Sequence, residues 1–160
     1  MDEIKNKFSV LAEICEKFPH DKKPILVGGS AVEFYTKEPS KSIYIDIIAD
    51  RIALLPILIT MNFTSRGRWL YTKDLGIEVV GESAVGKRIT DINFEGKIIR
   101  VLSIEDLIID MLKVGKLWKS QIDIEQAQVL VRKYSAEFDR DYFIQRMNEE
   151  ELEPELLAFN

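Results

Sequence analysis

Three short stretches carry residues whose types and spacing suit chemistry: Gly28-Gly29-Ser30 after the apolar run Ile25-Leu26-Val27, Asp46 inside Tyr44-Ile45-Asp46-Ile47-Ile48, and Glu78 inside Gly76-Ile77-Glu78-Val79-Val80. Missing Cβ atoms at Gly28 and Gly29 let a chain turn tightly and approach another molecule. Ser30 is expected to cap a helix beginning at Ala31, which points backbone N–H groups and the positive helix end into that turn, a cradle for phosphate. Asp46 is a lone carboxylate in an apolar strand, where an unpartnered charge is costly. It reads either as a strand-end or capping acid, or as a hydrogen-bonded or metal-holding ligand. Glu78 has apolar neighbours that face the other way, so it stands beside Asp46 if the two strands are adjacent, and is otherwise an ordinary solvent-facing strand residue.

The elements that must position these residues follow from periodicity. In the strand bounded by Ser42 and Asp50, Tyr44, Asp46 and Ile48 share one face, and Ile43, Ile45, Ile47 and Ala49 share the other. Before it, Ile4, Phe8, Leu11, Cys15 and Phe18 line one face of a helix from Asp2 to Phe18, and loops are expected at Pro19–Lys23 and Lys37–Lys41. Asp50 is placed to cap a helix over Arg51–Asn62, with Pro56 in its first turn or kinking it. Phe63–Trp69 is a polar, basic stretch leading through Tyr71 and Asp74 to the strand Ile77–Val80.

Arg88–Phe94 and Lys97–Leu102 flank Glu95-Gly96 and read as a hairpin. Ser103 opens a helix with the core stripe Ile104, Leu107, Ile108, Met111 and Leu112, while Asp106, Asp110 and Lys113 form a solvated ion-pair face. Gly115 and the stretch Lys116–Gln121 end that helix. Asp123 is expected to cap the next, with Ile124, Ala127, Val131 and Tyr134 inward, and Asp139 a last one carrying Tyr142, Phe143 and Met147. An acidic tail, Asn148–Asn160, ends in a Leu-Leu-Ala-Phe patch.

At 160 residues, 46% hydrophobic and 31% charged, the chain is expected to form one globular domain. Without a membrane-length apolar run or a signal-like start, a cytoplasmic location is expected. A single cysteine, Cys15, excludes an internal disulfide and multi-cysteine zinc; with one histidine, His20, in a Pro-His-Asp turn, histidine metal chemistry has little to draw on. The net charge of −5 argues against broad nucleic-acid binding.

Gly29-Ser30, then thirteen residues, then an acid-bearing strand resembles the signature of the polymerase β-like nucleotidyltransferase superfamily, in which Gly-Ser precedes Asp-x-Asp. The likeness is closest to its small bacterial branch that includes relatives of toxin–antitoxin nucleotidyltransferases. Val101–Leu107, Lys116-Leu117-Trp118-Lys119 and Asp123–Ala127 extend it over about residues 24–130. The resemblance implies an α+β fold: a mixed β-sheet flanked by helices, core at about 20–102, with a helical C-terminal part at about 103–150.

It further implies transfer of a nucleoside monophosphate from a nucleoside triphosphate to a protein, RNA or small-molecule hydroxyl, with Mg²⁺ as cofactor. Carried over residue by residue, Gly28, Gly29 and Ser30 would hold phosphates, Asp46 and Glu78 would hold Mg²⁺ and do the catalysis, and Arg66, Arg68 or Lys73 would add phosphate contacts. Tyr44 stands where the pattern has its first acid. A neutral phenol is a poor ligand for a hard cation, so two-metal catalysis is expected to be weakened or lost unless Asp50 or Glu33 is recruited. Two further readings stay open: a silent nucleotide-binding or regulatory protein, and a structural or antitoxin-like partner protein using its acidic tail and aromatic loop; a protein partner or homo-oligomer is compatible with any of them.

Overall fold

The computed structural model describes residues 3–37, 43–73 and 75–153, with side chains from Lys7 onward. The expected loop at residues 38–41, Asp74, the Ile4 side chain and the tail beyond Glu153 lie outside the described residues. The chain divides after Leu102 into two compact units.

The first unit runs α1 (Glu3–Glu16), β1 (Ile25–Val27), α2 (Gly28–Thr36), β2 (Tyr44–Ile48), α3 (Arg51–Thr60), β3 (Thr64–Arg66), β4 (Trp69–Tyr71), β5 (Gly76–Gly81), β6 (Ile89–Phe94) and β7 (Lys97–Leu102). Its strands form one mixed sheet in the order β3-β4-β5-β2-β1-β7-β6. Strand β2 pairs antiparallel with β1 and parallel with β5, and β1 pairs parallel with β7. The fold class is therefore α+β, a mixed sheet with α1, α2 and α3 packed on its strands.

Alternation decides which face is core. Leu26, Ile45, Ile47, Leu70, Ile77, Ile99 and Val101 fall on one face by register and are fully buried. The opposite face carries Tyr44, Asp46, Glu78 and Trp69. Helix α1 buries Phe8, Leu11, Ile14 and Cys15, with Phe8 edge-on to Phe34 at 5.2 Å and to Phe94 at 6.4 Å. Asp50 caps α3 as expected, accepting from the amides of Ile52 and Ala53, and Pro56 lies inside that helix.

The β6–β7 hairpin turns through Glu95 and Gly96, both at positive φ. A second hairpin was not expected: Phe63–Trp69, read as a polar, basic stretch, contributes β3 and most of the turn into β4, with Gly67 at φ +59. All three β3 residues are exposed, so the polar–apolar alternation that signals a strand is missing.

The second unit holds α4 (Ile104–Trp118), α5 (Gln121–Tyr134) and α6 (Arg140–Glu149). Ser103 and Asp139 cap α4 and α6 as expected, but α5 is capped by Ser120, which accepts from the amide of Asp123. A Cβ on Gly115 would meet Ile124 Cγ1 at 2.6 Å, so the bare glycine admits the start of α5 against α4. Ala127 and Leu130 are the buried α5 residues, whereas Ile124, Val131 and Tyr134 are only half-buried.

Asp106 corrects a further expectation. It is fully buried rather than part of a solvated face, accepting from Ser103 Oγ at 2.9 Å, Tyr142 Oη at 2.5 Å and Arg146 Nε at 3.0 Å. Arg146 reaches on to Glu149 at 2.8 Å and Glu150 at 3.3 Å. Burial opposes the guanidinium charge, but these carboxylates outweigh it and hold its pKa above the usual arginine value. Breaking such a pair strands a buried charge. Asp106→Ala should cost about 3–5 kcal/mol of stability in urea unfolding, and adding Arg146→Met should recover part of it.

Candidate active site

Strand β1 ends at Val27, whose extended backbone starts α2 without any side-chain cap. The helix begins at Gly28, not at Ala31, so Ser30 lies in its first turn and is no cap. The Ser30 hydroxyl is buried and turned to β2. It accepts from the Asp46 amide at 2.9 Å and has Tyr44 O and Asp46 Oδ2 as acceptors, each at 3.3 Å. Gly28 sits at φ +60 directly over Asp46, where an added Cβ would lie 3.0 Å from Oδ2. Only glycine takes that conformation and that approach without strain.

Asp46 is the middle residue of β2, not a strand end, and pairs across the parallel ladder with Glu78. In a parallel pair the aligned residues point to the same face, so the two carboxylates are neighbours. Burial raises the Asp46 pKa above its ordinary 3.8, and the two Ser30 hydrogen bonds and the nearby Lys7 charge only partly offset it. Glu78 is mostly buried at 14% exposure and is ion-paired with Arg68 Nε at 2.7 Å, the arginine itself being 70% exposed.

Arg68 stands in the β3–β4 turn, and Arg51 Nη2 donates to Gly67 O, tying that turn to α3. Arg66 is exposed on edge strand β3, two strands from Glu78, and Lys73 is exposed after β4. Of the predicted residues, the turn Gly28-Gly29-Ser30, Asp46, Glu78 and Arg68 are thus brought together. Arg66 shares their side of the sheet farther out, and Lys73 lies outside this cluster. Asp50 caps α3, and Glu33 pairs with Lys7 at 2.5 Å while its charge reaches Asp46 and adds to the rise of that carboxyl's pKa.

Lys7 escaped the sequence reading. It is only 5% exposed, on α2's Glu33 and close enough to Asp46 to favour its charged form. Its one signal is position: Lys7, Leu11 and Ile14 follow the buried helical stripe, where a lysine needs a partner. Burial pushes the Cys15 thiol up to about 11, which keeps it protonated and unreactive. His20 pairs with Asp91 at 2.5 Å on exposed surface. Among the described residues no cluster of three or more Asp, Glu, His or Cys is placed to hold a metal. Mg²⁺ takes one or two carboxylates and completes its octahedron with water and phosphate oxygens, and Asp46 and Glu78 are the residues of this face that would hold it.

No protein family and no curated protein matches this chain in sequence. Solved structures do match. The antibiotic-resistance factor ANT(2'')-Ia superposes with a TM-score of 0.58 at 15% identity, over 92% of this chain and 94% of that one. Its complex with adenylyl-2''-tobramycin gives 0.61 at 12% identity, over 91% and 97%. An antigenic nucleotidyltransferase-like protein from Paracoccidioides brasiliensis gives 0.58 at 16% identity, over 81% and 76%. The fold is that of the nucleotidyltransferases. No helix among the described residues is long and apolar enough to cross a membrane.

Within this nucleotidyltransferase fold the buried Asp46 charge opposes folding. Its pKa is raised, so the protonated form favours the folded state, and that contribution is lost as pH climbs from 3.8 through the raised value. Asp46→Asn should therefore raise Tm at pH 7, a gain that shrinks as pH falls towards 4. Differential scanning calorimetry over that pH range checks the sign.

Proposed function

We propose that the chain is a metal-dependent nucleotidyltransferase that moves a nucleoside monophosphate from a nucleoside triphosphate to the hydroxyl of an acceptor. The observation that carries this reading is the parallel pairing of Asp46 with Glu78 beneath the Gly28-Gly29-Ser30 turn. The open first turn of α2 offers amide N–H groups and the positive helix end to the triphosphate. Arg68, long and mostly exposed, is suited to follow a phosphate when it leaves Glu78. Mg²⁺ held by Asp46 and Glu78 would neutralise triphosphate charge and polarise the attacked phosphorus.

In the reaction the acceptor oxygen bonds the α-phosphorus, the bond from that phosphorus to the bridging oxygen breaks, and pyrophosphate leaves. The hydroxyl proton passes to the carboxylate pair. A small-molecule acceptor is favoured over protein or RNA by the fold neighbour that carries adenylyl-tobramycin.

A second reading, binding without turnover, is favoured by one specific feature. Tyr44, taken as the residue at the first acid's place, turns its ring over Gly76, where it adds no charge. One carboxylate pair then serves a single ion, with Arg68 as the other cation on Glu78.

Isothermal titration of the four nucleoside triphosphates with and without Mg²⁺, coupled to a pyrophosphate-release assay with hydroxyl acceptors, separates the two. Transfer predicts Mg²⁺-dependent binding and release of pyrophosphate, both lost in Asp46→Ala. Mg²⁺-dependent binding that Asp46→Ala removes, with no pyrophosphate from any acceptor, selects the second reading. Absence of binding to the wild type rejects both.

A further inference from the structure

Tyr44 and Trp69 occupy the same face of the sheet as the Asp46–Glu78 pair, and neither has a role in holding phosphate or metal. Trp69 lies opposite Glu78 on the adjoining strand β4, and Tyr44 lies two residues before Asp46 on β2. Their rings meet edge-on, with centroids 5.1 Å apart and planes at 66°. The Tyr44 ring rests on bare backbone at Gly76: a Cβ there would fall 2.5 Å from Cδ1 and 2.7 Å from Cε1. A glycine is required for the ring to lie in this way. Yet the tyrosine is not buried by the arrangement, being 48% exposed.

An aromatic ring held by a glycine floor and an indole edge, with nearly half its surface open, is a stacking surface rather than core. Its place relative to the turn matters. Counted from β1, which feeds Gly28, the shelf begins on the adjacent strand β2, whose Tyr44 ring leans over Gly76 of β5, and ends three strand spacings away, about 14 Å, at Trp69 on β4. That span matches a nucleoside triphosphate with its phosphates at the turn and its reacting phosphorus at the carboxylates. The exposed cations Arg66 and Arg68 border the same stretch, which suits an anionic ligand bearing a planar ring.

We propose that the Tyr44–Trp69 pair is the nucleobase shelf of the site, on which the base of the nucleoside triphosphate stacks. The assignment rests on the nucleotidyltransferase reading for the phosphate end only; the shelf itself requires just a planar base. Stacking is tolerant of base identity because every base has a π face, and the larger purine ring gains more than a pyrimidine. The site is therefore expected to bind ATP and GTP more tightly than CTP and UTP.

The chain has two tryptophans, and Trp118→Phe leaves Trp69 as the sole indole reporter. In that background, Trp69 fluorescence is titrated with adenosine, ATP and inorganic tripolyphosphate in Mg²⁺. The shelf predicts quenching by adenosine and ATP. It also predicts that Tyr44→Ala weakens ATP about tenfold, leaves tripolyphosphate unchanged, and is rescued by Tyr44→Phe. Equal affinity for ATP and tripolyphosphate, or equal weakening of both by Tyr44→Ala, overturns it. If neither phosphate compound binds but adenosine still quenches in a Tyr44-dependent manner, the shelf stands and the triphosphate reading falls. Absence of adenosine quenching together with absence of ATP binding overturns the shelf.

Discussion

The parallel pairing of β2 with β5, in register from Tyr44 opposite Gly76 to Ile47 opposite Val79, is the constraint on which the site depends. It sets Asp46 beside Glu78 and, one pleat earlier, the Tyr44 ring over the one residue that can lie beneath it. A slip of β2 by one residue would turn Asp46 into the core, away from Glu78, and Ile45 and Ile47 out of it. The apolar alternation that builds the sheet therefore also fixes the chemistry. Ser30 secures the other side: its hydroxyl, bonded to the Asp46 amide and within reach of the Asp46 carboxylate, ties the glycine turn to the acid it covers.

The charges around this centre form a graded set. Asp46 is held ionisable at a cost, with burial against it and Ser30 and Lys7 for it. Glu78 has an exposed arginine as its counterion, a partner that can swing away, whereas Lys7 is buried against Glu33 and is fixed in place. A site with one mobile and one fixed cation can admit a divalent ion without first breaking a buried ion pair, which would cost several kcal/mol, about 3–5 by precedent. The Asp106–Arg146 pair of the second unit is such a buried pair, and its wiring to Ser103 and Tyr142 makes it a structural staple between α4 and α6.

Much of this was legible in the residues, for local reasons. Ile25–Val27, Glu95-Gly96 and the caps Asp50, Ser103 and Asp139 each announce themselves within a few residues, because turns and caps are local physics. The same locality explains the misreadings. Ser30 looks like a cap by type, but its partner is a backbone amide sixteen residues away on β2. Asp106 matches the spacing of a surface ion-pair face, and nothing near it in sequence discloses Arg146, forty residues on. Thr64-Ser65-Arg66 has no apolar alternation, and it becomes a strand through pairing with β4 at the sheet edge. At the site, the Gly-Gly-Ser turn and the two acid-bearing strands were readable as separate pieces. That the acids are direct neighbours depended on a crossover that only the sheet order reveals.

The proposed site requires Asp46 and Glu78 to hold one divalent cation together beneath the glycine turn. Electron paramagnetic resonance titration of Mn²⁺, read against wild type, Asp46→Asn and Glu78→Gln, tests it without assuming a base or an acceptor. The expected result is one bound Mn²⁺ per chain in the presence of tripolyphosphate, lost in either variant while both remain folded. Mn²⁺ binding that survives both substitutions, or wild type that binds none, would contradict it.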